Sequence, residues 1–409
     1  MNRLANPFAP GAGAPPPEMA GREKLLEDAT IAIERNKLGN HEKPMLISGL
    51  RGVGKTVLLN AFRIYSEDQH YGSTFIEAHE EGDFLKSLAQ ELYSNLTILR
   101  RGTLSEIGKR AVAALKSFSL GVGVDGRLTF DVGVNLDDFD YQYANTGDAA
   151  TDLRRVLVAL GEAARERSTV LCIGIDELQY LTKDELRGII SATQAISTRK
   201  LPIALFGAGL PNLQRLIADA KTYAERQFHF ESVGSLSVEE VHKAVEAPIR
   251  RAGASVSDAA IQKIATVTEG YPYFVQEWAH DAWNIARSNR IEEEDVVAAY
   301  PVVLERLDRD FFTTRLSRLT ARETDYVYAL ASLGPGTHST EEVAASFGTS
   351  STACASLRER VIQKGVIFSP RKGETQFTAP LFDDFLIRTQ RLSRAASGQS
   401  LSKTSRRRS

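Results

Sequence analysis

Residues 49–56, Gly-Leu-Arg-Gly-Val-Gly-Lys-Thr, carry the spacing G-x-x-x-x-G-K-[ST] in full. Gly49, Gly52 and Gly54 let the backbone curl until successive N–H groups converge on phosphate oxygens, and the helix that follows adds its positive dipole end. Lys55 brings a positive charge to the β- and γ-phosphates, and the Thr56 hydroxyl is offered to Mg²⁺. Leu50, Arg51 and Val53 complete the loop and Val57 opens the helix behind it. Residues 49–57 are therefore the candidate nucleotide site, with ATP and Mg²⁺ as its cofactors. A second stretch, Val170-Leu171-Cys172-Ile173-Gly174-Ile175, is an apolar run ending in Asp176 and Glu177. In such a pair the first carboxylate holds Mg²⁺ and the second polarises the attacking water as a general base. Taken alone, the pair also reads as a strand followed by a solvated helix cap.

These groups need a rigid frame. Residues 45–48 (MLIS) form a short apolar strand running into the loop, and 57–65 continue as a helix. Further strands are expected over 74–78, 169–175, 202–206 and 228–233, with helical patterns between them, such as 153–165 and 185–197. Strands alternating with amphipathic helices predict an α/β domain, a parallel sheet covered on both faces, over 21–235. One stretch breaks the alternation: 120–124 and 128–136 alternate apolar with small or polar residues around Asp125-Gly126, which predicts a hairpin inserted at about 118–136. An all-helical second lobe follows over 236–316, with Ser257 as a helix start and Gly253 and Gly270 as stops. Trp278 and Trp283 in this lobe read as core residues. Residues 317–393 run helix, helix, helix, hairpin, helix, the order of a winged helix. The ends, a Pro/Ala/Gly-rich leader over 1–20 and a Ser/Arg-rich tail over 394–409, read as flexible and disordered.

With both motifs placed, the chain resembles the AAA+ and STAND branches of P-loop ATPases, above all bacterial and archaeal ATPases related to replication initiators that end in a winged helix. The resemblance spans 21–388. It implies that Arg22, in Gly21-Arg22-Glu23, lies near the adenine, and that Tyr271 and Pro272, in Gly270-Tyr271-Pro272, contact nucleotide from the helical lobe. It also implies an arginine finger at Arg226, reaching the γ-phosphate of a neighbouring subunit in a homo-oligomer; a surface salt bridge is the other reading. Two departures stand out. Where the family has a polar sensor after the fourth strand, this chain reads Gly207-Ala208-Gly209-Leu210-Pro211, with Asn212 the nearest polar residue. The second-sensor arginine of the lid is missing as well. Both departures imply a slow switch rather than a motor.

Charge is unevenly placed. From Ser317 onward there are 14 Lys/Arg against 8 Asp/Glu, which leaves 36 against 44 in the acidic remainder. A basic C-terminal part suggests a polyanionic partner. In residues 351–364, Cys354, Leu357 and Val361 form the inward stripe, and Ser351, Thr352, Ala355 and Arg358 are expected on the opposite face. Small polar residues with an arginine suit a helix in the major groove of double-stranded DNA, with Arg371 and Lys372 of the hairpin tip on the backbone. Three readings follow: an ATP-dependent switch coupled to DNA binding, a STAND-like signalling or defence ATPase whose C-terminal module holds a protein, and a DNA-binding regulator with a non-hydrolysing site. The two cysteines, Cys172 and Cys354, share no metal spacing, nor do the seven histidines, and both thiols are expected to be buried in a reducing compartment. No apolar run has the length of a membrane span and no signal peptide is readable, so a cytoplasmic location is expected.

Overall fold

The computed structural model describes residues 1–11, 13–80, 82–94, 105–124 and 144–396. The chain forms two compact units, one of Met19–Gly234 with Gly11–Pro15, the other of Ser235 onward with Met1–Pro10 and Pro16–Glu18.

The first unit is a parallel α/β domain. Its strands are β1 (Met45–Gly49), β2 (Gly72–Glu77), β3 (Leu171–Asp176), β4 (Ile203–Gly209) and β5 (His229–Val233), and they lie in the order β2-β3-β4-β1-β5. Every pairing is parallel. All seven residues of β4 and five of six in β3 are buried, so the central strands read as continuous apolar runs, as strands covered on both faces must. Close contact across the sheet explains two glycines. A Cβ on Gly174 would fall 2.0 Å from the Phe75 ring, and one on Gly207 would meet Leu178 at 2.5 Å and Leu46 at 2.7 Å. The covering helices are α1 (Glu23–Lys37), α2 (Lys55–Asp68), α3 (Phe84–Ser94), α4 (Glu106–Gly121), α5 (Ala149–Glu166), α6 (Lys183–Arg199) and α7 (Leu213–Ala220). Local signals fix their starts: Ser105 caps α4, and Thr182 with Glu185 forms a capping box on α6.

The expected inserted hairpin is corrected in its first half. Leu120 lies in α4, and Val122 is that helix's C-cap. The buried stripe Ala111, Leu115 and Phe118, at helical spacing, overrides the short alternation. The second half of that hairpin, 128–136, lies outside the described residues.

In the second unit, α8 (Val238–Arg251), β6 (Ser255–Val256), α9 (Asp258–Thr268), α10 (Pro272–Ile285), β7 (Arg290–Ile291) and α11 (Glu293–Arg306) make the helical lobe. Trp278 and Trp283 are core residues of it. A π-helical turn, Leu307–Phe312, and α12 (Thr313–Leu316) lead on to α13 (Ala321–Ala331), β8 (His338–Ser339), α14 (Thr340–Phe347), α15 (Ser351–Gln363), β9 (Ile367–Phe368), β10 (Glu374–Phe377) and α16 (Phe382–Ala396). Strands β8-β10-β9 form a small antiparallel sheet, giving a winged-helix-like module. Phe312 of the π turn packs against Phe382 and Phe385, and Arg388 pairs with Asp308 at 2.6 Å.

The N-terminal segment is not a loose leader. Asn6 Nδ2 donates to His280 O and Asn284 Oδ1, both at 3.0 Å, and Trp283 Nε1 donates to Asn2 O at 3.0 Å. Phe8 is buried, and Arg251 donates to Glu18 and to Pro17 O. A Pro/Gly-rich composition forecasts the lack of regular structure; it says nothing about whether backbone and side-chain groups find partners.

Candidate nucleotide and partner sites

The phosphate loop leaves the end of β1 at Gly49, where a Cβ would lie 2.4 Å from Val233 O of the adjoining strand. Gly52 and Gly54 have φ of 84° and 96°, the left-handed backbone conformation that glycine adopts without strain and that a phosphate-cradling turn requires. Gly54 gives α2 no side-chain cap, so the first N–H groups of that helix are left for an anion. Lys55 is buried, and its Nζ donates to Leu50 O at 2.8 Å, folding the side chain back over the loop.

The second motif meets the first directly. The Thr56 hydroxyl donates to Asp176 Oδ2 at 2.6 Å, across 120 residues of sequence. Sheet order is the cause: β1 and β3 flank β4, so their carboxyl ends project on either side of one crevice. Burial pushes the Asp176 carboxyl above its ordinary value, opposed by bonds from Thr56 and from the Glu177 N–H, 2.8 Å away. A divalent cation between Thr56 and Asp176 would favour the ionised carboxylate, so the hard oxygen donors, the buried lysine and the glycine cradle together fit Mg-ATP.

Glu177 follows with φ at 54°, in the left-handed region. Its carboxylate accepts from Gln179 Nε2, while Gln179 Oε1 accepts the Leu210 N–H at 3.1 Å. Next along the same short turn, the Tyr180 hydroxyl accepts from Arg51 Nη2 at 2.6 Å. The N-terminal segment also comes close, since a Cβ on Gly13 would lie 3.8 Å from Thr56 Cγ2. Gln179, Tyr180 and Gly13 were not among the residues read from the sequence. Gln179 and Tyr180 stand two and three residues after Glu177, which was the available signal; Gly13 had none.

The remaining candidates are scattered. Arg22 donates to Gly234 O at 2.6 Å and to Gly21 O at 3.1 Å, joining the start of the α/β unit to its end. Arg226 stands exposed on the turn Ala224–Gln227 before β5 and forms no ion pair among the described residues. Asn212 lies just before α7, its Oδ1 buried without a partner. In the helical lobe, Gly270 at φ 65° is pressed against the Leu236 backbone, and Tyr271 is buried with its ring 4.7 Å from that of Phe274. Pro272 takes the first position of α10.

In the winged-helix-like module, Thr352 is exposed and Ser351 half-buried on the first turn of α15, and Arg371 and Lys372 are exposed at the hairpin tip. Arg358 is a correction. Its Nε donates to Thr375 Oγ1 at 2.8 Å and its Nη2 to Glu374 O at 2.5 Å, so the guanidinium ties the helix to the hairpin. It lies four residues after buried Cys354, on the same helix face, so it could not share an outward face with Thr352. Among the described residues no group of His, Cys, Asp and Glu could hold a metal ion by itself, and no helix is long and apolar enough to cross a membrane.

This parallel sheet, with its phosphate loop behind β1 and acidic pair behind β3, is an AAA+-like P-loop ATPase fold. The family model described as AAA ATPase domain matches residues 18–206, and one described as a domain of unknown function (DUF8462) matches 309–386. The solved structure of a Walker-type ATPase from Pyrococcus abyssi is similar over 93% of this chain and 99% of that one, with a TM-score of 0.59 at 16% identity. Looser likenesses are the Aeropyrum pernix ORC1 protein in complex with DNA and Cdc6p from Pyrobaculum aerophilum. The first covers 92% of this chain and 95% of that one at 14% identity and TM-score 0.45. The second covers 97% and 99% at 16% identity and TM-score 0.43. No curated protein matches the chain in sequence.

Proposed function

We propose that the chain binds and slowly hydrolyses Mg-ATP and uses the exchange between nucleotide states as a switch for DNA binding by its C-terminal module. The observation that carries the nucleotide part is the hydrogen bond from Thr56 to Asp176, which brings two motifs far apart in sequence together and supports a shared cation site. Bound Mg-ATP supplies a labile phosphoanhydride with its charge partly neutralised. Residues 49–57 would cradle the phosphates through backbone N–H groups. Lys55 would leave the Leu50 carbonyl for the β- and γ-phosphates, and Thr56 and Asp176 would hold the cation. Glu177 would take a proton from the attacking water. Nucleotide shifts the state of the C-terminal module only as far as the two states differ in their affinity for it.

Calorimetry with Mg-ATP tests the reading. Lys55→Ala is expected to lower affinity about a hundredfold, since it removes charge-assisted contacts to phosphate. Glu177→Gln is expected to keep ATP binding and lose hydrolysis, because an amide does not accept the proton. Unchanged affinity in the first variant, or unchanged turnover in the second, overturns the assignment.

For the C-terminal module, Arg371 and Lys372 at the exposed tip support contact with the DNA backbone, and Ser351 and Thr352 support entry of α15 into a groove. The inward turn of Arg358 removes one base-reading arginine from that face. It favours, as the second reading, a module that holds a protein in a STAND-like signalling ATPase.

A further inference from the structure

The end of β4 carries no polar side chain: it reads Gly207-Ala208-Gly209, followed by Leu210. The space is nevertheless filled. A Cβ on Gly209 would stand 3.2 Å from Gln179 Oε1, so the Gln179 amide occupies the room that a side chain on this strand would need. The orientation of that amide is settled by its neighbours. The Leu210 N–H can only donate, so the atom 3.1 Å from it is the carbonyl oxygen. Nε2 therefore faces the Glu177 carboxylate, which can only accept when ionised.

We infer that Gln179 is a positioning residue for ATP hydrolysis, a polar link from the tip of β4 to Glu177 that replaces a polar side chain on the strand itself. The inference rests on the proposed ATPase reading. Glu177 sits at a left-handed φ of 54°, in a backbone conformation that a non-glycine residue keeps only when its surroundings enforce it. The Gln179 amide engages one carboxylate oxygen and leaves the other to receive the proton from water. Because its own carbonyl is tied to the Leu210 N–H, a shift at the β4 tip is transmitted to Glu177 through one side chain. Leu178, between the two, is buried and contributes to the same turn's rigidity.

Two substitutions separate positioning from packing. Gln179→Glu keeps an oxygen to accept the Leu210 N–H but replaces the donor to Glu177 with a second, repelling carboxylate; Gln179→Ala removes both bonds without adding charge. Steady-state hydrolysis, Mg-ATP affinity by calorimetry and thermal stability are measured on the full chain. Gln179→Glu is expected to lower kcat about ten- to a hundredfold, the scale of a lost bond to a charged group, with KM and affinity for ATP within about twofold. Both variants are expected to remain folded and to melt below the wild type, so the assignment is read from the rates and not from stability. Against the slow residual hydrolysis of Glu177→Gln, read under single-turnover conditions, Gln179→Glu is expected to add no further loss, since the group it positions is gone. Wild-type kcat in Gln179→Glu, or a full additional loss in the double variant, overturns the role of Gln179 alone, provided the wild type hydrolyses ATP. A wild-type chain that binds no Mg-ATP overturns this inference together with the ATPase reading.

Discussion

Arg358 shows how a single residue's chemistry is decided by its position on a helix. A guanidinium in a groove-entering helix would read guanine, but here it bonds Thr375 and the Glu374 carbonyl. Arg358→Ala is therefore expected to destabilise the winged-helix-like module by about 1–3 kcal/mol, since it removes bonds to a charged donor and leaves the buried Thr375 hydroxyl and the half-buried Glu374 carbonyl without it. A thermal melt reads this. Arg371 and Lys372 behave oppositely because both are exposed at the hairpin tip. Each backbone phosphate contact contributes roughly −0.9 to the slope of log affinity against log salt. Replacing both with Ala is expected to flatten that slope by about two units and to leave the melting temperature unchanged. Fluorescence anisotropy over a salt series measures it, and a truncated chain ending at residue 393 excludes the basic tail. No DNA affinity at low salt, with or without ATP, would promote the protein-partner reading.

Among the elements, α13 and α15 are joined by one buried carboxylate. Glu323 closes the capping box with Thr320 at the start of α13, accepts from Lys364 Nζ at 2.7 Å and lies 3.3 Å from Arg360. Burial by itself pushes its carboxyl up, but the bonds from Lys364 and Thr320 together outweigh that and hold it at about 2, against an ordinary 4.5. The unfolded chain therefore takes up this proton at a higher pH than the folded one. The stabilisation is full above the unfolded value and disappears as pH falls from about 4.5 toward 2. Glu323→Gln is expected to lower stability by about 1–3 kcal/mol at neutral pH, with the difference from wild type shrinking across that acid window. Denaturant titrations at several pH values check it; a pH-independent difference would mean the side chain acts by shape alone. The acidic pair's strand, the phosphate-loop helix and the helical lobe were all legible from apolar period and cap residues. The end of α4 was not, because a few residues of alternation cannot outweigh the helical stripe preceding them.

For the whole molecule, Arg226 bears on whether sites form between chains. Arg226 is exposed on a turn before the last sheet strand, without an ion pair among the described residues. If it reaches a neighbour's γ-phosphate, mixing Arg226→Ala subunits with Lys55→Ala subunits restores part of the hydrolysis that each lacks. An intact site then forms at interfaces where a wild-type arginine meets a wild-type lysine. The expected recovery in a randomly mixed dimer is about a quarter of the sites, by the combinatorics of a single interface type. No recovery in an assembly shown by light scattering to be oligomeric would return Arg226 to the role of a surface charge.

Local chemistry was fixed by the sequence. A phosphate loop needs glycines at set positions, and an apolar run ending in Asp176-Glu177 must expose those carboxylates where the strand stops. What they touch was decided only by the fold. The order β2-β3-β4-β1-β5 places Asp176 against Thr56, and pairing order depends on contacts between residues far apart in the chain, which no local period encodes. The same holds for Gln179, which joins Glu177 of its own turn to the Leu210 N–H beyond β4. Composition misjudged the first ten residues for a related reason. Asn2 and Asn6 find α10 across more than 270 residues, and only the folded chain brings that surface within reach.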